Sequence, residues 1–225
     1  MGILDLVFPK ECLDCNKEGV YICRNCISKV RFAKPICPEC QKPSIDGFTH
    51  IKCQRKLGLN GLISVWNYEG IMRKAVLSLK YKYATDIADE LSGYVLQVLK
   101  RKRILVPNNY YLVPIPMHWY RENSRGFNQS ETLAEKIANG MNWKFFPDLL
   151  VRKKLTTPQV QLKGEDRRKN IKGVFALNPN YYSLLPSASF LVFDDVYTTG
   201  STLKEAAKVL KRAGAEKVWG LTIAR

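Results

Sequence analysis

Two sets of residues in this sequence have the types and spacing to do chemistry. The first is a run of paired metal donors: Cys12-x-x-Cys15, Cys23-x-x-Cys26, Cys37-x-x-Cys40 and His50-x-x-Cys53. Two residues between donors let one tight turn offer both to a single ion. Eight donors suffice for two tetrahedral zinc sites. Taken in chain order, Cys12, Cys15, Cys23 and Cys26 form an all-cysteine site, and Cys37, Cys40, His50 and Cys53 form a site of three cysteines and one histidine. Pairing the knuckles in alternation is the other arrangement the spacing allows. Neither arrangement leaves a position open, so the expected role is structural zinc, supplying folding energy to a short segment. All seven cysteines lie within residues 12–53, and Met1–Lys10 has no basic leader followed by an apolar run. A cytoplasmic protein is therefore expected, with metal–thiolate bonds rather than disulfides.

The second set is Leu191-Val192-Phe193-Asp194-Asp195-Val196-Tyr197-Thr198-Thr199-Gly200-Ser201-Thr202. An apolar strand delivers two adjacent carboxylates to its C-terminal edge, where open α/β sheets bind ligands. Thr198, Thr199, Gly200, Ser201 and Thr202 then lead into a helix. Small hydroxylated residues around a glycine let backbone N–H groups converge on one anion, and the helix N-terminus adds its positive end. Carboxylates cannot hold phosphate but can accept hydrogen bonds from sugar hydroxyls, so a sugar phosphate satisfies both halves. A Walker A loop would need a Gly-Lys-Ser/Thr ending, which is absent here. The string from Phe193 to Thr202 resembles the phosphoribosyl-pyrophosphate signature of type I phosphoribosyltransferases. That resemblance implies that Asp194 and Asp195 hold the ribose hydroxyls and that Thr198–Thr202 hold the 5′-phosphate. It also implies a pyrophosphate-binding loop at Pro114-Ile115-Pro116, the end of another apolar run. Arg121 and Arg125 follow closely, and guanidinium geometry suits phosphate oxygens. Mg²⁺ would bridge the diphosphate.

These residues need elements to position them. Glu69–Lys80 reads as a helix with Met72, Ala75, Val76 and Leu79 inward, and Asp86–Arg101 as a second with Ile87, Leu91, Val95 and Val98 inward. Asn128 with Glu131 suggests a capped helix through about Ala138, and Ser201–Ala213 is amphipathic with Gly214 at its end. Strands are expected at Gly61–Tyr68, Tyr110–Ile115, Trp143–Phe146, Phe190–Phe193 and Val218–Ala224. Strand and helix in this alternation argue for an α/β fold with a parallel sheet. Lys153–Lys172 is polar and basic and reads as a long loop that could close over a diphosphate. The division expected is a zinc-organised module at 1–56 and an α/β domain at 57–225.

The net charge of +16 on 225 residues favours polyanions: nucleic acid or phosphorylated ligands. Residues 146–175 are densest, with eight basic and three acidic side chains. Aromatic and basic residues interleave at Tyr81-Lys82-Tyr83 and Trp119-Tyr120-Arg121, a pattern suited to stacking bases beside their phosphates. No stretch is long and apolar enough for a membrane helix.

Read together, the double zinc ribbon, Arg125-Gly126-Phe127-Asn128-Gln129 and the Asp194–Thr202 signature occur in an order that resembles the ComF family of competence-related proteins. The Thr157-x-Gln159 and Arg167-x-x-Asn170 spacings are similar to that family as well. The resemblance implies a type I phosphoribosyltransferase-like domain behind the ribbon, and a role in natural transformation, in the uptake and processing of single-stranded DNA. It implies phosphoribosyl pyrophosphate as a ligand, single-stranded DNA as a partner, and DNA-uptake proteins such as a helicase or DNA-processing factors as associates. Three activities stay open: a DNA-associated adaptor, an active phosphoribosyltransferase on an unidentified base, and a non-catalytic sensor of the sugar phosphate.

Overall fold

The computed structural model describes residues 10–79, 84–101, 110–117, 128–153 and 171–225. In chain order the elements are α1 (Arg24–Ser28), β1 (Gly61–Trp66), α2 (Gly70–Ser78), α3 (Ala84–Arg101), β2 (Tyr110–Pro114), α4 (Gln129–Met141) and β3 (Lys144–Phe145). There follow β4 (Leu150–Arg152), β5 (Phe175–Leu177), β6 (Ser189–Val196), α5 (Ser201–Arg212) and β7 (Lys217–Ala224). Five strands form one parallel sheet in the order β1-β7-β6-β2-β3. This is the parallel α/β architecture expected from the alternation of strand and helix.

The helices follow their apolar periods. Met72, Ala75, Val76 and Leu79 are buried on α2 and its end, Ile87, Leu91 and Val95 on α3, and Leu133, Ala134 and Ile137 on α4. Leu99 rather than Val98 completes the buried face of α3. Asn128 caps α4, its Oδ1 accepting from Ser130 N at 3.2 Å, while its Nδ2 donates to the Ile115 carbonyl at 3.3 Å. One side chain thus starts the helix and ties it to the exit of β2.

The sheet winds both ways from its middle. The connection from β2 through α4 leads to β3, away from β6, whereas that from β6 through α5 leads to β7 on the other side. Right-handed crossovers then require α4 and α5 to cover opposite faces. The core agrees. Leu133, Ala134 and Ile137 pack with Leu191 and Phe193, and Leu203, Ala206 and Leu210 pack with Phe190 and Val192. Winding reverses between β2 and β6, which opens a crevice at their C-terminal ends.

Two features differ from the sequence expectation. Strand β6 runs on through both aspartates to Val196, with Asp194 opposite Thr222 and Val196 opposite Ala224. Strands β4 and β5 form a separate antiparallel ribbon at the two ends of the basic stretch, closed by Lys153 N donating to the Val174 carbonyl at 2.8 Å. Residues 154–170 of that stretch lie outside the described residues.

The cysteine-rich segment packs along the free edge of β1. Ala33 N donates to the Val65 carbonyl and Asn67 N to the Arg31 carbonyl, and Phe48 packs edge-on against Trp219 at 4.7 Å. An exposed sheet edge presents unpaired backbone groups, and this segment supplies partners for them. No helix among the described residues is long and apolar enough to cross a membrane.

Candidate functional site

The structure assembles the metal donors in chain order. Cys12, Cys15, Cys23 and Cys26 form one group, and Cys37, Cys40, His50 and Cys53 the other, with the donor atoms of each group within 4.8 Å of one another. The alternating arrangement is thereby excluded. The two knuckles repeat one backbone design. Asn16 N donates to the Cys12 carbonyl and Gln41 N to the Cys37 carbonyl, and Asn16 and Gln41 both take the left-handed region, at φ 58° and 60°. Cys12 N and Cys37 N each donate to the carbonyl five residues on, at Lys17 and Lys42.

Both donor sets fit zinc. The Cys15 and Cys23 sulfurs are 3.7 Å apart, close to the roughly 3.8 Å edge of a tetrahedron with Zn–S bonds of about 2.3 Å. In the second group His50 Nδ1 lies 3.3 Å from the Cys40 sulfur, and His50 Nε2 sits 3.0 Å from the Pro43 carbonyl. A carbonyl only accepts, so Nε2 carries the proton and Nδ1 faces the donor group as a lone pair. Burial opposes ionisation of Cys12, but the N–H groups of Cys15, Cys23 and Asp14 outweigh it and bring the thiol down to about 6. Burial, with the other three thiols adding to it, pushes Cys26 well above the usual range. A cation among the four would supply the charge that lets them all ionise.

The first group is fastened to the helices. Tyr21 N and Ile22 N donate to the Glu90 carboxylate of α3 at 3.1 and 2.7 Å, Tyr94 donates to the Ile22 carbonyl at 3.0 Å, and Lys74 of α2 pairs with Asp14 at 2.6 Å. The second group lies beside the loop that follows β6.

At the crevice, Pro114 pairs in register with Phe193, and Ile115 N donates to the Phe193 carbonyl at 2.8 Å. The end of β2 is therefore level with Phe193, and β6 runs on past it with Asp194 as the next residue outward. Side chains alternate along a strand, so Asp194 continues the face of Val192 and Asp195 that of Phe193. Asp194 Oδ1 accepts from Ser130 at 3.5 Å and from Asp195 N at 3.0 Å. Asp195 Oδ1 accepts from Val196 N at 2.7 Å. Burial, with the Asp195 carboxylate adding to it, raises the Asp194 carboxyl well above the usual range, while the charge of Arg152 on β4 works against that rise. Burial raises the Tyr68 hydroxyl, and the nearby Asp195 carboxylate adds to it.

The hydroxyl-rich turn follows. Thr199 and Ser201 join their hydroxyls at 2.8 Å, and Gly200 enters α5 at φ 72°, in the left-handed region. Gly200 offers no side chain to cap the helix, and Ser201 N donates to the Thr199 hydroxyl at 3.4 Å, so the turn's own hydroxyl sits at the positive end of α5. Two carboxylates and a helix N-terminus thus meet where the sheet reverses its winding.

Sequence reasoning named Pro114, Ile115, Pro116, Asn128, Gln129, Asp194, Asp195 and Thr198–Thr202, and the structure brings these segments to one sheet edge. Arg121, Arg125, Gly126, Phe127, Thr157, Gln159, Arg167 and Asn170 lie outside the described residues. Sequence reasoning missed Ser130, Arg152 and Tyr68, which approach the acid pair from α4, β4 and the segment between β1 and α2. Ser130 directly follows Gln129 and lies inside the Asn128–Glu131 helix start. The three-residue β4 left no period from which to read Arg152.

The double zinc ribbon domain family matches residues 3–55. The chain is 32% identical over 213 residues to the DNA utilization protein YhgH of Escherichia coli O157:H7, covering 89% of each chain. It is 27% identical over 222 residues to competence protein F of Haemophilus influenzae, covering 93% of this chain and 89% of the relative. Among solved structures it is similar to the allosteric regulatory enzyme of purine biosynthesis over 61% of this chain and 26% of that one, with 12% identity and a TM-score of 0.41, too low to argue from. An ordered pair of zinc-type tetrads, a parallel sheet carrying the acid-pair loop, and near full-length similarity to these relatives converge: the chain belongs to the ComF family of competence proteins, alongside YhgH and competence protein F.

Proposed function

We propose that this protein binds phosphoribosyl pyrophosphate with Mg²⁺ at the crevice between β2 and β6, and that it serves the uptake and processing of single-stranded DNA in natural transformation. One observation carries the ligand reading. Asp194 and Asp195 lie among the last residues of β6 at the winding reversal, and five residues after Asp195 a helix opens on Gly200 at the same edge. The carboxylates accept from the ribose hydroxyls, and the Thr198–Thr202 turn with the first N–H groups of α5 receives the 5′-phosphate. The Pro114-Ile115-Pro116 turn, with Arg121 and Arg125, takes the pyrophosphate. Mg²⁺ neutralises charge between the two phosphates and the carboxylates. The DNA reading is supported by the names of the relatives and by the charge of +16. Single-stranded DNA and DNA-uptake proteins are the corresponding partners.

Thermal unfolding tests the ligand. At a hundredfold excess over Kd, phosphoribosyl pyrophosphate with Mg²⁺ raises Tm by roughly 5–10 °C. Asp194→Asn with Asp195→Asn abolishes the shift. Absence of any shift in the unaltered chain at millimolar ligand overturns the reading. Pyrophosphate release with a panel of bases then separates transfer from binding alone.

A further inference from the structure

The signature turn leans on the second metal centre. Tyr197 is only 4% exposed, and its hydroxyl donates to the Pro38 carbonyl at 2.7 Å. Pro38 and Glu39 are the two residues between Cys37 and Cys40. Lys204, in the first turns of α5, donates to the Glu39 carbonyl and pairs with the Glu39 carboxylate, each at 3.4 Å. The Tyr197 ring also backs Gly200, where a Cβ would lie 2.5 Å from it. One side chain therefore touches both the metal knuckle and the left-handed residue that opens the phosphate-facing helix. Among the described residues, the contacts of the first centre run instead to Glu90, Tyr94 and Lys74.

The physical link is the shape of the knuckle. Cys37 and Cys40 would be held together by a common ion, which would fix the turn that carries the Pro38 carbonyl. A buried phenol needs that acceptor, because an unpaired buried hydroxyl is costly. If the ion leaves, the turn between the cysteines loses its constraint, the Tyr197 anchor goes with it, and Gly200 loses its backing.

We infer that Tyr197 is a positioning residue that sets the ribose-phosphate turn against the Cys37–Cys40 knuckle, so that zinc at the second centre and a phosphoribosyl ligand at the turn bind cooperatively. The inference rests on the ribose-phosphate reading of the turn. Cooperativity is reciprocal: if zinc strengthens ligand binding, ligand must strengthen zinc retention at that centre by the same factor.

The test follows zinc transfer from the full-length chain to a chromophoric chelator, with and without phosphoribosyl pyrophosphate and Mg²⁺. Thiol alkylation and mass spectrometry identify which cysteines are freed, and amide hydrogen exchange follows residues 197–204. The expected result is loss of exchange protection in 197–204 when Cys37, Cys40 and Cys53 become free, but not when only Cys12, Cys15, Cys23 and Cys26 do. Ligand slows release from the second centre by at least about fivefold and leaves the first unchanged. Tyr197→Phe keeps the ring behind Gly200 and removes only the hydroxyl. It retains two zinc ions per chain, and the ligand no longer slows zinc release. Unchanged exchange in 197–204 after metal loss from the second centre overturns the positioning role, and equal slowing in Tyr197→Phe overturns the assignment to its hydroxyl. A turn that loosens on metal loss in a chain that ignores phosphoribosyl pyrophosphate overturns the ligand reading and the cooperativity, and leaves the positioning role standing.

Discussion

Asp194 is half-buried at the end of β6, with Asp195 beside it and Arg152 within electrostatic reach. Its carboxyl is raised well above the ordinary range, first by burial and then by Asp195. A carboxyl raised on folding holds its proton longer in the folded chain than in the unfolded one. Its contribution to stability is therefore full below the unfolded value, near pH 4, and is lost as pH rises through the folded value. Asp194→Asn mimics the protonated form. The substitution is expected to raise Tm at pH 7 by about 2–4 °C, the shift that about 1 kcal/mol produces in a chain of this size. The gain shrinks toward zero at pH 3–4, and phosphoribosyl pyrophosphate binding disappears. A Tm that falls at pH 7 contradicts this account of the site. The identity of the acid pair was plain in the sequence, because the pair and its turn are contiguous. Its environment was not, because Ser130, Arg152 and Tyr68 come from α4, β4 and the segment between β1 and α2.

At the scale of elements, helix α3 carries more than a buried face. Glu90 turns its carboxylate to two backbone N–H groups of the first ribbon, at Tyr21 and Ile22. Glu90→Ala leaves both donors without their acceptor and is expected to cost about 2–3 kcal/mol. The measurement is the urea midpoint at constant m-value, with zinc loss from the first centre accelerated and that from the second unchanged. Glu90→Gln keeps one acceptor oxygen and recovers part of the loss. The helices themselves were legible from sequence, since the 3.6-residue period of Met72–Leu79, Leu133–Ile137 and Leu203–Leu210 reports one buried face. The β4–β5 ribbon was not. Three-residue strands hold too few alternations to differ from a loop, and their pairing joins residues across the whole basic stretch. The extension of β6 through the aspartates was also hidden, because β7 supplies the pairing that keeps those polar residues in a strand.

Across the whole molecule, the excess of 36 basic over 20 acidic residues leaves a charge of +16. Binding of single-stranded DNA on such a surface releases counterions, so affinity falls steeply with salt. A footprint that neutralises about five phosphates gives a slope near −3.5 in log K against log salt. The check is fluorescence anisotropy of labelled DNA between 50 and 200 mM salt, roughly the range over which such losses reach a hundredfold. Salt-insensitive binding, or none, removes the polyanion role of the charge. The same measurement with an excess of phosphoribosyl pyrophosphate reports whether the small ligand and the DNA influence one another.

The sequence by itself determined the local chemistry: the donor types of the two metal centres, the inward faces of the helices, and the acid pair leading into a glycine-opened turn. Each of these closes within a few residues, so spacing alone carries it. Tertiary structure decided which knuckles share an ion and which neighbours set the charge of Asp194. It also decided that a phenol in the signature turn reaches a knuckle 159 residues away. Those outcomes depend on which way the sheet winds from its middle and on what packs against its free edge. Contacts between distant residues exist only once the crossovers have brought the chain back to the same edge.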